Sequence, residues 1–403
     1  MKNPFAVRKR NRRFPILLAL LVVVILVFYQ TGTVNASAYT AEEQAALDRL
    51  EEQVEDLLAS LDTAELEEYL QTLSQFDGKD VREMLADLVT GDYALEYDTM
   101  WESVLALVWE EGRAMLPAFA VILAVAVLCG ILNSAKSGFL QSSMSDIIHF
   151  VSYISVGAVV LAVLTNILQA AFSAIADMQR QMQIVYPLLL TLMAASGGAV
   201  SAGVFRPAVA FLASGICELF TAVVLPTSVV VVALTFAGNL SPDVRCEKLG
   251  GLFKSVNKWL IGLTLGLFTL FLTVQGIASA QYDGLSLRAV KYLVSGSVPI
   301  VGGFLSGGVD LVLAGSALIK NALGSFSVLL LFASVLRPLL LFAAFQLFLR
   351  LCAAATEPVG GKISSFLTSL ANDCSFFIAG LLCVAFLHFL TILLLVCSSG
   401  VIF

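Results

Sequence analysis

Several runs of more than eighteen almost wholly apolar residues recur along this chain. A bilayer core about 30 Å thick asks for about 20 such residues in a helix. In lipid, backbone polar groups have to be satisfied within the segment itself. The fold class that follows is all-α, a polytopic helical membrane protein. Composition agrees: of 403 residues, 59% are hydrophobic and 13% charged, too few charges to clothe a water-soluble domain.

The charge is unevenly placed. Between Glu42 and Arg113 lie 21 of the 30 acidic residues and only 4 basic ones. An acidic polar segment therefore precedes a membrane body, and no basic patch with interleaved aromatics points to nucleic acid. The first thirteen residues carry six positive charges, an apolar stretch follows, and Ala36-Ser37-Ala38 fits a small-x-small cleavage pattern. Residues 1–38 read as a secretory signal, cleaved or retained as an anchor. Residues 39–112 then start outside the cytoplasm. Leu47, Leu50, Val54, Leu57 and Leu58, continued by Leu61, Leu66, Leu70 and Leu73, form a narrow stripe at helical steps. Asp62 and Glu65 suit a helix start. That stripe needs a cover, which could be itself, the membrane surface or a partner.

The first membrane spans are 115–132 and 147–171, within a region 113–183. His149 and His388, on apolar spans, read as hydrogen-bonded interface residues rather than ligands. From residue 184 the chain echoes itself. Pro187 and Pro226 are 39 residues apart, as are Pro299 and Pro338, and Ser196-Gly197-Gly198 recurs as Ser306-Gly307-Gly308. The two units, 184–278 and 296–397, each hold a Gly-rich span (184–204, 298–319) ending at Arg206 or Lys320. Each then has an over-long apolar run (207–240, 323–352) with a proline near its middle. A Gly-Gly amphipathic stretch and a final span (259–278, 375–397) close the unit. Such duplication is a common plan in transporters.

The second long run contains SVLLLFASVLRPLLLFAAFQLFLR, with Arg337-Pro338 at its centre. If each long run is a re-entrant hairpin broken near Pro226 or Pro338, nine basic loop residues lie inside and three outside. If each is one crossing between otherwise unchanged spans, the tally is six against six. Loop basic residues set orientation, so hairpins are expected, with Pro226 and Pro338 as helix breaks. Arg337 should then face inward and find an anion, because a cation on lipid is costly. Asp310 is the first candidate and Glu218 the second. Asp310, Arg337 and Glu218 would line a polar path, or form an ion pair that locks helix packing. The stretches 249–259 and 363–370 look like helices lying in the interface.

No HExxH, P-loop or GxSxG occurs. Tyr282-Asp283 and Gly307-Gly308-Val309-Asp310 only faintly echo paired-aspartate intramembrane proteases, since Val309 stands where glycine is needed. No enzyme, cofactor or metal is expected. The seven cysteines show no CxxC and no zinc spacing and read as small buried hydrophobes.

At TVQGIASAQYDGLSLRAVKYLVSGSVPIVGG, residues 273–303, the sequence resembles the stage III sporulation protein AE family. Val274-Gln275-Gly276, Asp283-Gly284, Leu287-Arg288, Lys291 and Pro299 carry the resemblance, together with 186–207 and 310–321. It implies a role in endospore formation, in the mother-cell membrane around the forespore. It also implies a channel complex with other stage III sporulation membrane proteins and a forespore-side bridging protein. A permease-like subunit passing small molecules is the function expected, favoured by the duplicated broken helices and by Asp310, Glu218 and Arg337, and a non-conducting scaffold that assembles the other channel subunits is the alternative. The loop bearing Asp283, Arg288 and Lys291 would face partners, and no catalytic residue is carried over.

Overall fold

The computed structural model describes residues 54–61, 63–71, 81–90, 97–134, 142–240, 246–297, 302–358 and 361–398. The signal reading for 1–38 falls outside these residues. So do the side chains of His149, Asp283, Arg288, Lys291 and Asp310. Among the described residues every regular element is a helix.

Two short acidic helices, α1 (Ala64–Gln71) and α2 (Val81–Thr90), follow a helical stretch at 54–60. At the α1 start the Thr63 hydroxyl donates to the Glu67 side chain at 2.7 Å, and the expected start residue Asp62 lies outside the described residues. Where it is described, the apolar stripe is covered by the body itself; Leu47, Leu50 and Leu73 lie outside the described residues. Val54, Leu58, Leu66 and Leu70 are buried, and Leu57 lies against Gly315.

The body consists of long helices: α3 (Tyr97–Ser134), α4 (Ser142–Ala195), a run α5, α6 (Glu247–Ser297), α7 (Gly302–Thr356), α8 (Gly361–Asp373) and α9 (Ser375–Cys397). The α5 run passes without interruption from Ala199–Ala210 through π turns at Phe211–Ile216 and Phe220–Val224 to Leu225–Leu240. Among the described residues, five stretches, 153–195, 199–239, 247–275, 312–356 and 363–397, are long and apolar enough to cross a membrane.

The re-entrant hairpins are not formed. Pro338 lies inside the 55-residue α7, and Pro226 lies two residues after the second π turn of α5. Side-chain pairs prove the runs continuous. Along α7 and the α8–α9 corner, Gly324 meets Val396, Phe342 stacks on Phe377 and Gln346 donates to Ser375. As α7 advances, its partner recedes steadily, which a doubled-back helix could not do. Along α5 and α6, Gln275 reaches Val204, Asn257 meets Thr227 and Ser228, and Gly238 faces Cys246.

Local chemistry explains why proline does not break α5. Proline frees the carbonyl four residues back and crowds that turn. A π turn widens the backbone there. The hydroxyls of Thr221, Thr227 and Ser228 donate to the carbonyls of Cys217, Val223 and Val224. These hydroxyls bond carbonyls to either side of Ala222, whose own carbonyl Pro226 frees, and hydroxyls and π adjustments near a proline are among the ways membrane helices tolerate it.

The Gly-rich spans are not separate crossings either. Residues 184–195 continue 147–171 inside the single helix α4, and 302–319 continue into 323–352 inside α7. The boundary at 183/184 thus falls mid-helix. Arg206 and Lys320 do not sit in loops. Arg206 lies exposed in α5 and Lys320 lies buried inside α7. Ser196-Gly197-Gly198 is a helix stop that turns α4 into α5. Gly197 has φ 94°, and the Gly198 amide donates to Met193 O at 2.8 Å, the pattern of a left-handed C-terminal cap.

Two outcomes test this architecture. An introduced Cβ at Gly324 would lie 3.6 Å from that of Val396, within disulfide range. Gly324→Cys/Val396→Cys should oxidise to a disulfide, and Gln346→Cys/Ser375→Cys should be joined by a short bis-thiol reagent. A hairpin at Pro338 would permit only one of the two links, since 375 and 396 stand about 32 Å apart along α9. Gly197→Ala should lower the thermal unfolding temperature of the detergent-solubilised protein. A left-handed L-residue costs about 1–2 kcal/mol.

Candidate functional site: polar groups of the helical body

Polar side chains in the body fall into three sets. The first is a charged belt midway along the long helices. In α4, Asp177, Gln179, Arg180, Gln181 and Gln183 interrupt an otherwise apolar helix. Arg180 approaches Glu68 of α1 at 4.0 Å. In α7, Arg337 donates to Glu111 of α3 at 2.7 Å. Glu218 of α5 follows Cys217, which lies 3.9 Å from Met182 of α4.

Arg337 therefore has an anion, but not an expected one. Asp310 stands 27 residues earlier on the same helix, about 40 Å away along the axis, so the two cannot pair within one chain. Nor does Arg337 face inward, since its side chain is 66% exposed. Glu218 is exposed as well. The three residues expected to line one path are not brought together. Glu111 was missed because its partner lies 226 residues away in sequence, and only its place at the polar-to-apolar change in α3 marked it.

The second set is buried and fully tied. Asp373, at the α8–α9 corner, is 2% exposed at its side chain and meets Lys254 of α6 at 2.5 Å. Thr235 of α5 donates to its other oxygen. About two turns along α5, Asn257 of α6 donates to Ser228 at 2.9 Å and accepts from Thr227. From the opposite side, Gln346 of α7 donates to Ala371 O and Ser375 Oγ, each at 2.8 Å. The corner 371–375 thus joins α5, α6 and α7. The spacing of Lys254 and Asn257, one helical turn apart, put both on one face of α6. The sequence reading had placed this stretch in the interface as an amphipathic helix, and nothing local marked Asp373 as its partner.

The third set is buried and unsatisfied among the described residues. His388 of α9 is fully buried, with no hydrogen-bond partner at either nitrogen. Its ring stands edge-on to Tyr186 of α4 at 5.4 Å. The amide of Gln181, also buried, is likewise without a partner. His388 is an interface residue, as expected, but not a hydrogen-bonded one. Among the described residues no group of three His, Cys, Asp or Glu side chains is placed to hold a metal.

The chain matches the family described as Stage III sporulation protein AE over residues 79–399. It is similar to Stage III sporulation protein AE of Bacillus subtilis (strain 168), 23% identical over 386 residues that cover 94% of this chain and 97% of that protein. No solved structure matches it. The family match takes in most of the chain, from just before α2 to the end of α9, and on that ground this multi-pass helical protein belongs to the stage III sporulation protein AE family.

Proposed function

We propose that the protein serves endospore development as a multi-pass subunit of the channel complex joining mother cell and forespore, and that it acts there as an assembly platform. The family supports a role in sporulation and membership of a sporulation protein complex. The observation that carries the platform reading is the outward placement of the belt charges. Arg337 and Glu218 lie on the outside of the helical body, where other subunits can reach them. A charged side chain facing lipid is costly, so these positions favour a protein or aqueous neighbour.

Charge placement also supports an orientation. Lys248, Lys254, Lys258, Arg350 and Lys362 fall at or near one end of the long helices, where α5 and α7 finish, and Lys136 and Arg245 follow α3 and α5 in sequence. Arg206, Arg288, Lys291 and Lys320, the last beside Cys397 at the end of α9, belong to the other end. Seven against four favours a cytoplasmic first end. The even tally feared for unbroken runs does not arise, because the merged spans shift Arg206 and Lys320 off the cytoplasmic end. The acidic helices and the Asp283–Lys291 segment then fall in the space between mother-cell and forespore membranes, where partners and the bridging protein would dock.

A second reading, a permease-like path for small molecules, is favoured by the third polar set. Buried groups without partners, such as Gln181 and His388, are what a water-lined or solute-lined path would use.

Two measurements separate these readings. Under the platform reading, Arg337→Gln/Glu218→Gln lowers recovery of the other stage III sporulation membrane proteins with the tagged chain, at unchanged protein level, and reduces spore counts at least about tenfold. His388→Leu and Gln181→Leu leave both unaffected, since each removes unsatisfied polar atoms. Intact complexes in the charge variant, with spore loss in the His388 and Gln181 variants, would favour the path instead. Single cysteines at Val200 and Lys258 test the orientation. Val200→Cys should react with an impermeant maleimide only from outside and Lys258→Cys only from the cytoplasm.

A further inference from the structure

The strongest unexplained feature is the buried carboxylate of Asp373. It sits where the two halves of the body meet, with α5 and α6 on one side and α7, α8 and α9 on the other. Lys254 and Thr235, both from the first half, hold it. The next residue, Cys374, is fully buried with a free thiol. On the far side Gln346 and Arg350 of α7 bind Ala371, Ser375 and Asn372. These contacts hold the corner to its own half.

The two partners of the ion pair are not equivalent. Lys254 is 34% exposed at its side chain, while Asp373 is 2% exposed. The Lys254 ammonium, on a flexible four-carbon stem, is readily rehydrated when it leaves, so the cost of breaking the pair falls on Asp373. Asp373 cannot stay where it is once Lys254 leaves, because an uncompensated buried charge is strongly destabilising. The corner then has two favourable arrangements. Either the pair is made and the corner is closed over Cys374, or the pair is broken and the corner swings Asp373 toward water. The closed, unpaired arrangement is the unfavourable one.

We infer that Lys254, Thr235 and Asp373 form a releasable latch between the two halves at the basic end of the body, with the α8–α9 corner as its moving part. Its working element is the electrostatic penalty on Asp373 and not simple packing. Contacts between the halves further along, such as Phe220 beside Gly380, are apolar and carry no such charge penalty.

Cys374 reports the state of the latch in the native chain. The full-length protein in lipid nanodiscs is treated with a maleimide, and the modified cysteine is identified by peptide mapping. Exposed Cys397 serves as the internal control. Wild type should label slowly at Cys374. Lys254→Met keeps the apolar stem but removes the charge, and should label Cys374 at least about tenfold faster. The decisive variant is Lys254→Met/Asp373→Asn. With no buried charge left to expel, it should return to near wild-type protection. A corner held by packing and hydrogen bonds alone would label at least as fast in the double variant as in the single. Labelling of Lys254→Met no faster than wild type, or a double variant as reactive as the single, overturns the latch. If Lys254→Met is recovered poorly, Lys254→Gln supplies the same comparison, and continued protection of buried Cys217, remote from the corner, confirms an intact fold.

Discussion

Every backbone amide and carbonyl in the membrane body has to be satisfied inside its own helix, and the architecture depends on how the chain meets that demand at its prolines. A hairpin at Pro226 or Pro338 would expose several such groups at the tip. A continuous helix exposes one carbonyl per proline, and α5 also offers π turns and nearby threonine and serine hydroxyls there. The unbroken helix is therefore the cheaper solution. Once α5 and α7 run unbroken, their partners α6 and α9 must run antiparallel to them, and the residue pairs show this from Cys246 to Gln275 and from Ser375 to Val396.

Continuity in turn decides where polar groups meet. Because α7 is one helix, Asp310 and Arg337 cannot approach each other, and Arg337 pairs across to α3. Because α5 and α6 pair along their length, Thr227, Ser228 and Thr235 come opposite Lys254 and Asn257. Asp373 then arrives from the α8–α9 corner to complete the buried set. The same geometry separates polar side chains that serve different ends: tied ones between helices, charged ones outside, and unsatisfied ones around Tyr186 and His388.

The external charges fit a protein that works among other membrane proteins. A lone crossing bundle in lipid would gain by replacing Arg337 and Glu218 with apolar residues. Keeping them makes sense where another chain or water covers them. The acidic helices α1 and α2 lie against the flank of α4 and α7 rather than as a separate cap, so the body buries their apolar stripe and meets part of their acidic face through Arg180 and Glu68.

The sequence by itself determined the class of the protein. Apolar run length fixed long membrane helices, and the charge asymmetry separated an acidic segment from the body. The period of the leucines in 47–73 marked a helix, and a scatter of glycines, aspartate and proline carried the family resemblance. These are local signals, readable one segment at a time. What only the tertiary structure decided was whether a proline ends a helix, which spans merge, and which charges meet. Proline's cost depends on hydroxyls and π turns that can absorb it. A charge's partner is chosen by helix register over hundreds of residues, as with Arg337 and Glu111 or Thr235 and Asp373. A run of apolar residues is compatible with one crossing or two, and the choice lies in the packing of neighbours that the run itself does not encode.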